Sequence, residues 1–241
     1  MHVYCDDIVS IIIGNKRAGK STLVAKLAQE CKKKGIKCYC NYPVEGCERL
    51  PIIISSSGRE LLDKNKFYST DFSNSVIFID EASGIWNARS SKSFTEEDTH
   101  FFNCLGHTHT QIFLICQYIE TLDLNVRRNS TRTMCIYKSF LGLSKIEESI
   151  TCIGKVRSLD ETTNLKGFYN VEYKICEREH RKRYFRRKPY YGLFSSFYVD
   201  KELTEPNKSN WNDVYNFEHH EPQTLRLKLR NKFKIKKKDK K

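Results

Sequence analysis

The stretch GNKRAGKST at residues 14–22 decides the fold of this chain of 241 residues. It matches the pattern G-x-x-x-x-G-K-S/T of a phosphate-binding loop, in which glycines let backbone N–H groups curl around phosphate oxygens. The helix that follows presents the positive end of its dipole to the same anion. The loop therefore predicts a nucleoside triphosphate site formed by Gly14, Asn15, Lys16, Arg17, Ala18, Gly19, Lys20, Ser21 and Thr22.

Two side chains of this loop have expected chemical roles. The Lys20 ammonium should reach the β- and γ-phosphates, and the Ser21 hydroxyl should bind Mg²⁺. The flanking sequence supports this interpretation, because IVSIII at 8–13 predicts a strand and residues 20–34 keep apolar positions on one helical face. Lys16 and Arg17 are unusual inside such a loop and are additional candidates for phosphate contact.

A second motif ends the apolar run VIFID at residues 76–80. Asp80, at the carboxyl end of a predicted strand, is expected to hold Mg²⁺, and Glu81 is expected to act as the general base on the attacking water. The alternative is a solvated pair of carboxylates at a strand end. A catalytic Asp–Glu pair favours an ATPase, and no N-K-x-D guanine signature lies where a GTPase needs one. ATP and Mg²⁺ are therefore the predicted cofactors.

Further candidates lie at a strand end and among the arginines. Gln117 ends the apolar run at 111–117 and is placed to sense the γ-phosphate, unless it only bonds a neighbouring loop. ATPases that act as rings often complete each site with an arginine of the neighbouring subunit, which neutralises charge in the transition state. The candidates for that role are Arg89 and Arg128, with Arg127 and Arg132 as further possibilities.

The alternation of apolar runs and amphipathic segments predicts an α/β fold with a mostly parallel sheet and helices on both faces. Predicted strands cover 8–13, 36–42, 52–54, 76–80, 111–117 and 132–138, and predicted helices cover 20–34, 58–64, 95–105 and 119–127. After residue 140 the pattern changes to antiparallel-like alternation, which predicts a small β-rich extension that continues or covers the sheet. The predicted domains are an ATPase core at 1–139, the extension at 140–200, and a polar, irregular linker with a basic tail at 201–241.

The net charge of +13 is concentrated in the C-terminal part of the chain. Residues 225–241 contain ten Lys or Arg and one Asp, and RKRYFRRK at 181–188 adds six basic side chains. This asymmetry indicates a polyanionic partner, either nucleic acid or an anionic membrane surface. A solubilising tail is the alternative for the last residues.

The composition also bears on compartment and metal content. No window approaches the length of an apolar membrane span and the N-terminus is acidic, so a cytoplasmic protein without a transmembrane helix is expected. The ten cysteines are then expected to be reduced thiols. Cys38, Cys40 and Cys47, or Cys104 with His107 and His109, could bind a metal ion, but neither group has the pattern of a zinc site.

The order of three segments resembles the ATPase domain of the zonular occludens toxin (Zot) family. These segments are GNKRAGKST, VIFIDEASGIWNAR and GHTHTQIFLICQYIETLDLNVRR, and YYGLFSSFYVDKEL at 190–203 resembles the aromatic segment that closes such domains. The resemblance spans roughly residues 8–200. The positions that match the family's pattern beyond the phosphate loop are Asp80, Glu81, Trp86, Arg89, His107, His109, Gln117, Leu122, Asp123 and Arg127.

This resemblance implies an assembly ATPase of filamentous phages, related to the FtsK–HerA group of DNA-pumping motors with a RecA/FtsK-like core. It implies a homo-oligomeric ring, such as a hexamer, and phage coat or assembly proteins as partners. The loop after His107 lacks the family's usual glycine and acidic residue, and a basic tail stands where many members have a transmembrane helix. Such a tail could contact an anionic inner membrane face electrostatically.

Other functions use the same motifs. A DNA-packaging or DNA-transfer ATPase would share every catalytic residue. A small-molecule kinase would need an arginine-rich lid and an acceptor pocket, and it leaves the basic tail without a role. A non-enzymatic binding module is disfavoured, because Lys20, Ser21, Asp80 and Glu81 are all intact.

Overall fold

The computed structural model describes residues 8–54, 60–90, 94–158, 170–195, 209–215 and 217. Its strands are β1 Val9–Ile13, β2 Lys37–Cys40, β3 Glu48–Arg49, β4 Ile52–Ile54, β5 Glu60–Leu62, β6 Ser75–Ile79, β7 Gln111–Cys116, β8 Arg132–Lys138, β9 Leu143–Ser158 and β10 Asn170–Arg186. Its α-helices are α1 Lys20–Lys33, α2 Lys64–Ser69, α3 Glu96–Cys104, α4 Leu124–Asn129 and α5 Trp211–Val214. Short 3₁₀ helices cover Ala82–Gly84, Ile119–Thr121 and Lys188–Tyr190.

One eight-stranded sheet organises the molecule, with the strand order β10-β9-β8-β1-β7-β6-β2-β3. The strands from β8 to β3 in this order are parallel, and β9 and β10 join them as antiparallel neighbours. β1 lies between β7 and β8, and its nearly uniform apolar sequence suits a strand with both faces covered. Because the parallel strands end at the same edge, the segments that follow β1, β6 and β7 lie close together. The predicted α/β class is confirmed.

Side chains alternate between two apolar layers, one on each face of the sheet. Phe78 of β6 packs in the layer that contains Leu23 and Leu27 of α1. Its neighbour Ile77 packs in the opposite layer, together with Phe67 of α2 and other side chains from α3 and α4. The helices therefore cover both faces, as the alternation of apolar runs predicts.

Two predicted helices differ from the structure. The helix predicted at 58–64 is wrong, because Glu60–Leu62 pairs with β4 as an antiparallel strand and α2 begins only after Asp63. The Asp63 carboxylate accepts a hydrogen bond from Lys66 N at 3.2 Å and so caps α2 at its first turn. The segment predicted as one helix at 119–127 is divided, because Asp123 accepts a bond from Asn125 N at 2.8 Å and starts α4 there.

The C-terminal hairpin continues the sheet rather than covering it. β9 pairs with β8, and β10 pairs with β9 along most of its length, with one register shift between Glu177 and Glu179. The segment 187–195, here called the strap, then runs from β10 to the loop after β2, where Ser195 N donates to Pro43 O at 3.0 Å. The domain boundaries at residues 139 and 200 stay predictions.

A short helix lies in the part of 201–224 that sequence patterning assigns to an irregular linker. Trp211 of α5 is fully buried and its indole Nε1 donates to Cys40 O at 2.9 Å. Residues 209–215 therefore pack against the end of β2 and contribute to the core. Among the residues that the structure covers, none of the helices combines the length and apolar character needed to cross a bilayer.

Candidate active site

The phosphate loop joins the end of β1 to the start of α1. Gly14 has φ +154°, and a Cβ added there would lie 2.5 Å from the carbonyl oxygen of Ile136 in β8. Gly19 has φ +111°, and its Cβ would lie 2.6 Å from Ser144 Oγ at the start of β9. Both positions need glycine because neighbouring strands approach the loop backbone directly. The loop thus lies against residues of β8 and β9, with its backbone at the N-terminus of α1.

Lys20 reaches back across the loop from the first turn of α1. Its Nζ donates hydrogen bonds to Gly14 O at 2.7 Å and to Asn15 O at 3.3 Å. The ammonium is therefore positioned over the loop by main-chain oxygens, where it can exchange these bonds for phosphate oxygens. This arrangement fits the role that the sequence pattern assigns to Lys20.

A cavity of about 580 Å³ lies over the loop. Its volume is in the range of small-molecule and cofactor sites. Most residues predicted from the sequence line it together: Lys16, Arg17, Gly19, Lys20, Ser21, Thr22, Asp80, Glu81 and Gln117. Three further residues come from the strap: Arg187, Tyr191 and Phe194. The hydroxyl of Ser21 and the carboxylate of Asp80 are hard oxygen donors of the kind that Mg²⁺ binds, so this side-chain set fits the cation.

Asp80 directly follows β6, and its backbone N–H and carbonyl are both hydrogen-bonded to the side chain of Asn41. Asn41 Nδ2 donates to Asp80 O at 3.0 Å, and Asp80 N donates to Asn41 Oδ1 at 2.7 Å. Burial raises the pKa of Asp80 to about 6, although the N–H of Glu81 and the charge of Lys20 favour the ionised form. A divalent cation beside this carboxylate would shift the balance toward the ionised form.

Glu81 adopts an uncommon backbone conformation. Its φ of +51° lies in the left-handed region, and its carbonyl accepts a hydrogen bond from Gly84 N at 2.7 Å in the 3₁₀ turn that follows. A non-glycine residue in this region is strained, and such strain clusters at functional sites. The exposed carboxylate lines the cavity beside Asp80, which is compatible with a general base acting on water.

The predicted arginines lie elsewhere. Arg89 is exposed in the turn after the Asp80–Glu81 segment, where its N–H donates to Asn87 Oδ1 at 2.9 Å. Arg128 is exposed on α4 and lines a separate cleft with Thr95 and Asn125. Neither lines the cavity over the phosphate loop of its own chain.

Trp86, which the family pattern places after the Asp–Glu pair, is a core residue. It is fully buried, and its Nε1 donates to Asp98 Oδ1 at 2.6 Å. Asp98 also accepts bonds from Lys64 Nζ at 2.9 Å, from Thr95 N at 2.7 Å and from the Tyr68 hydroxyl. Burial alone would raise the pKa of Asp98, but these bonds outweigh it and lower the pKa below its ordinary value. Trp86 therefore ties the segment after Glu81 to α3.

The two possible metal groups of the sequence do not assemble. Cys104 Sγ lies 3.6 Å from Nε2 of His100, a residue of its own helix. Cys38, Cys40 and Cys47 are buried free thiols within the apolar layer that contains α1. In the part of the chain that the structure describes, no group of three or more His, Cys, Asp or Glu side chains could hold a metal ion.

Sequence patterning missed Asn41, Arg187 and Tyr191. Asn41 falls inside the strand predicted at 36–42, and only the observed pairing of β2 with β6 places it beside Asp80. Arg187 lay in a basic cluster attributed to a polyanionic partner, and only the path of the strap brings it to the cavity.

The parallel sheet, the glycine-dependent loop between β1 and α1, and Asp80 at the end of a nearby strand define a P-loop NTPase domain. The model of the family described as "Zonular occludens toxin (Zot)" matches residues 8–146, which is more than half of the chain. The chain therefore belongs to the Zot family, as the order of its motifs predicts. A comparison with curated protein sequences finds no significant match.

Several solved structures are similar to this chain. The N-terminal domain of zonular occludens toxin from Neisseria meningitidis is 20% identical, with a TM-score of 0.45, and the match covers 58% of this chain and 82% of that one. The genome packaging NTPase B204 from Sulfolobus turreted icosahedral virus 2, in complex with ATP-gammaS, is 17% identical over 57% of this chain and 78% of that one, with a TM-score of 0.43. The flagellar accessory protein FlaH from Methanocaldococcus jannaschii is 17% identical, with a TM-score of 0.38, and the match covers 59% of this chain and 76% of that one.

Proposed function

We propose that this chain is an ATP-hydrolysing motor that drives assembly and extrusion of a filamentous virion, acting on DNA or on the assembling particle. The observation that carries the proposal is the convergence of Lys20, Ser21, Asp80, Glu81 and Gln117 on one cavity. These side chains come from the ends of two neighbouring parallel strands, β6 and β7, and from the first turn of the helix that follows β1. Membership of the Zot family supports the assembly role.

The proposed chemistry is hydrolysis of the γ-phosphoryl group. Bound Mg²⁺, held by Ser21 and Asp80, would neutralise charge on the phosphate oxygens. Glu81 accepts a proton from the attacking water, a new oxygen–phosphorus bond forms, and the bond to the bridging oxygen of ADP breaks. Gln117 orients the water or the γ-phosphate, and Lys20 stabilises the negative charge on the phosphates. The products are ADP and inorganic phosphate.

Nucleic acid is the partner that the charge distribution favours. One face of the hairpin and β8 points away from the layer that contains α1, and we call it the open sheet face. Tyr137 and Tyr184 flank Lys145 there in register, and they are 48% and 60% exposed. Lys145 Nζ lies 5.9 Å from the centroid of the Tyr137 ring. The open sheet face includes Tyr137, Lys145, Lys182, Tyr184 and Arg186, together with Glu147.

Exposed aromatic rings interleaved with basic side chains on a sheet are suited to single-stranded nucleic acid. Bases stack on the rings, and phosphates pair with the basic groups. Glu147 is an acidic neighbour on the same strand face, and Lys145 Nζ pairs with it at 2.5 Å. The basic tail at 225–241 would add sequence-independent attraction to DNA, or hold the protein at an anionic membrane at about 1 kcal/mol per basic residue.

We also propose that the active form is a ring, such as a hexamer. Arg89 and Arg128 are exposed and lie outside the cavity of their own chain, so either is available to complete the site of a neighbouring subunit. Sedimentation with an ATP analogue tests this proposal, and a monomer at every nucleotide and protein concentration would contradict it.

The central experiment measures nucleotide binding and ATP turnover for the wild-type chain, Lys20→Ala and Glu81→Gln. Lys20→Ala should lose binding, whereas Glu81→Gln should bind ATP and turn it over at least roughly 100-fold more slowly. Normal turnover by Glu81→Gln would contradict the assigned general base. Rates with and without single- and double-stranded DNA at several salt concentrations test the nucleic-acid partner, because phosphate contacts weaken steeply with salt.

A further inference from the structure

The strap crosses the molecule beside the phosphate loop and is attached at both ends. At its start, Arg187 N donates to Gly142 O at 3.1 Å in the turn between β8 and β9. At its other end, Glu45 N donates to Leu193 O at 2.9 Å, in the loop that follows β2. These main-chain bonds hold the segment across the start of α1, so that side chains of the strap face the cavity.

Arg187, in the strap, lies against the phosphate loop. A Cβ added to Gly19 would lie 3.1 Å from Arg187 Cδ, so the side chain passes directly over the loop backbone. Its Nε is buried and has no hydrogen-bond acceptor among the residues that the structure describes. Buried guanidinium N–H groups are normally bonded, and phosphate oxygens are their favoured anionic acceptors. A phosphate in the loop would supply the missing acceptor.

Two aromatic side chains of the strap lie on the same cavity. Tyr191 lines the cavity and is 40% exposed. Phe194 is partly buried against the apolar layer, and its backbone forms a bridge with Val44. An exposed ring beside a nucleotide site offers a flat apolar surface on which a base can stack.

We infer that the strap is part of the nucleotide site, with Arg187 contacting a phosphate and Tyr191 stacking on the nucleobase. This inference rests on the proposed function, because it needs a nucleotide in the cavity. The hairpin of β9 and β10 then does more than extend the sheet: it delivers a phosphate-binding arginine to the active site of its own chain. In this arrangement the affinity for the nucleobase comes from Tyr191 of the strap, which lies outside the phosphate-loop motif.

The test uses the full chain with Mg²⁺ and compares two ligands, ATP and inorganic tripolyphosphate, which has no base. Arg187→Ala should weaken binding of both ligands by about tenfold or more, because a charge-assisted hydrogen bond is lost. Tyr191→Ala should weaken ATP binding by about tenfold and leave tripolyphosphate binding unchanged. Tyr191→Phe, which keeps the ring, should bind ATP like the wild type.

Controls are exposed residues of similar chemistry that do not line the cavity. Arg181→Ala removes a guanidinium from β10, and Phe140→Ala removes a ring that is 77% exposed in the turn before β9. Both should bind the two ligands like the wild type. Arg187→Gln is a second variant for Arg187, because it keeps a long polar side chain and should still weaken tripolyphosphate binding.

Three outcomes would overturn the inference. Unchanged tripolyphosphate binding by both Arg187 variants would exclude the phosphate contact. Unchanged ATP binding by Tyr191→Ala, or equal weakening of ATP and tripolyphosphate, would exclude base stacking. If the wild type binds neither ligand, the proposed function fails and the strap inference fails with it, whereas wild-type binding with unaffected strap variants contradicts the strap inference alone.

Discussion

The side-chain amide of Asn41 bonds both backbone polar groups of Asp80. Asp80 N donates to Asn41 Oδ1 at 2.7 Å, and Asn41 Nδ2 donates to Asp80 O at 3.0 Å. The main-chain pairing of β2 with β6 ends at Cys40 and Phe78, so Asn41 extends the contact between these strands through its side chain. Asp80 is thereby positioned by its backbone, and its carboxylate remains available to the cavity.

Replacing Asn41 should impair use of Mg²⁺. Asn41→Ala leaves the Asp80 N–H and carbonyl without these partners, and loss of such an outer contact typically lowers metal affinity or activity by about 10- to 100-fold. A titration of ATPase rate against Mg²⁺ concentration checks this. Asn103→Ala, an exposed asparagine of α3, is the matched control. An unchanged Mg²⁺ dependence in Asn41→Ala would show that Asp80 is held by other contacts.

Asp80 should make binding of Mg²⁺ and ATP depend on pH. Its pKa of about 6 means that a proton must leave the carboxylate when the cation binds near or below this pH. Affinity for Mg²⁺ with ATP should therefore fall as the pH is lowered through 6. Calorimetry in buffers of different ionisation enthalpy should detect the released proton. A pH-independent affinity between 5 and 7 would contradict the raised pKa.

The same carboxylate should lower the stability of the ligand-free protein at neutral pH. The folded pKa is above the unfolded value of 3.8, so the folded state binds more protons between these values and loses stability as the pH rises through about 6. Asp80→Asn removes this loss and should raise the free energy of unfolding at neutral pH by on the order of 2 kcal/mol. Urea unfolding of the wild type and of Asp80→Asn, measured below and above pH 6, checks the direction of this change. Equal free energies of unfolding at neutral pH would contradict the prediction.

The strained backbone of Glu81 predicts that its replacement by glycine raises the free energy of unfolding while it removes ATP turnover. Glu81→Gly should abolish turnover but raise the free energy of unfolding by about 1 kcal/mol, because glycine adopts the left-handed conformation without a Cβ clash. Glu120→Gly is the control, since Glu120 is an exposed residue without positive φ and its replacement should destabilise the protein slightly. Destabilisation by both glycine variants would show that the Glu81 backbone is not strained.

The buried Asp98 should be a major contributor to stability. Asp98→Ala removes the acceptor of the bonds from Trp86 Nε1 and Thr95 N and one ion-pair partner of Lys64, and it should cost about 3–5 kcal/mol. Because the folded pKa is lowered, the stability from this group is present above the unfolded pKa of 3.8 and is lost as the pH falls further. Glu97→Ala, an exposed neighbour, should change urea stability little. Similar losses in the two variants would contradict a special role for Asp98.

Much of the site is encoded by local sequence. The phosphate loop needs glycines where neighbouring strands approach its backbone. It also needs a strand before it and a helix after it, and all of these lie within one short βα unit of the sequence. The start of α3 is equally local, because Thr95 and Asp98 form a reciprocal capping box that a pattern of spacing can reveal. Asp80 and Glu81 could be predicted because an apolar run ended at them.

Other features depend on contacts between distant segments. The helix predicted at 58–64 fails because Glu60–Leu62 pairs with β4, and pairing overrides local propensity. Trp86 is a position that matches the family pattern, and only its buried bond to Asp98 shows that it belongs to the core. Arg89 and Arg128 lie outside the cavity of their own chain, so a catalytic role for either requires a neighbouring subunit.

The sequence by itself determined that this protein has a phosphate loop on a parallel α/β sheet, with an acidic pair at a nearby strand end. These properties follow from glycine geometry and apolar periodicity, which act over a few residues. Only the tertiary structure decided that Asn41 supports Asp80 and that Arg187 and Tyr191 reach the cavity. Those contacts join residues far apart in the chain, and they exist because the sheet order and the path of the strap bring the segments together.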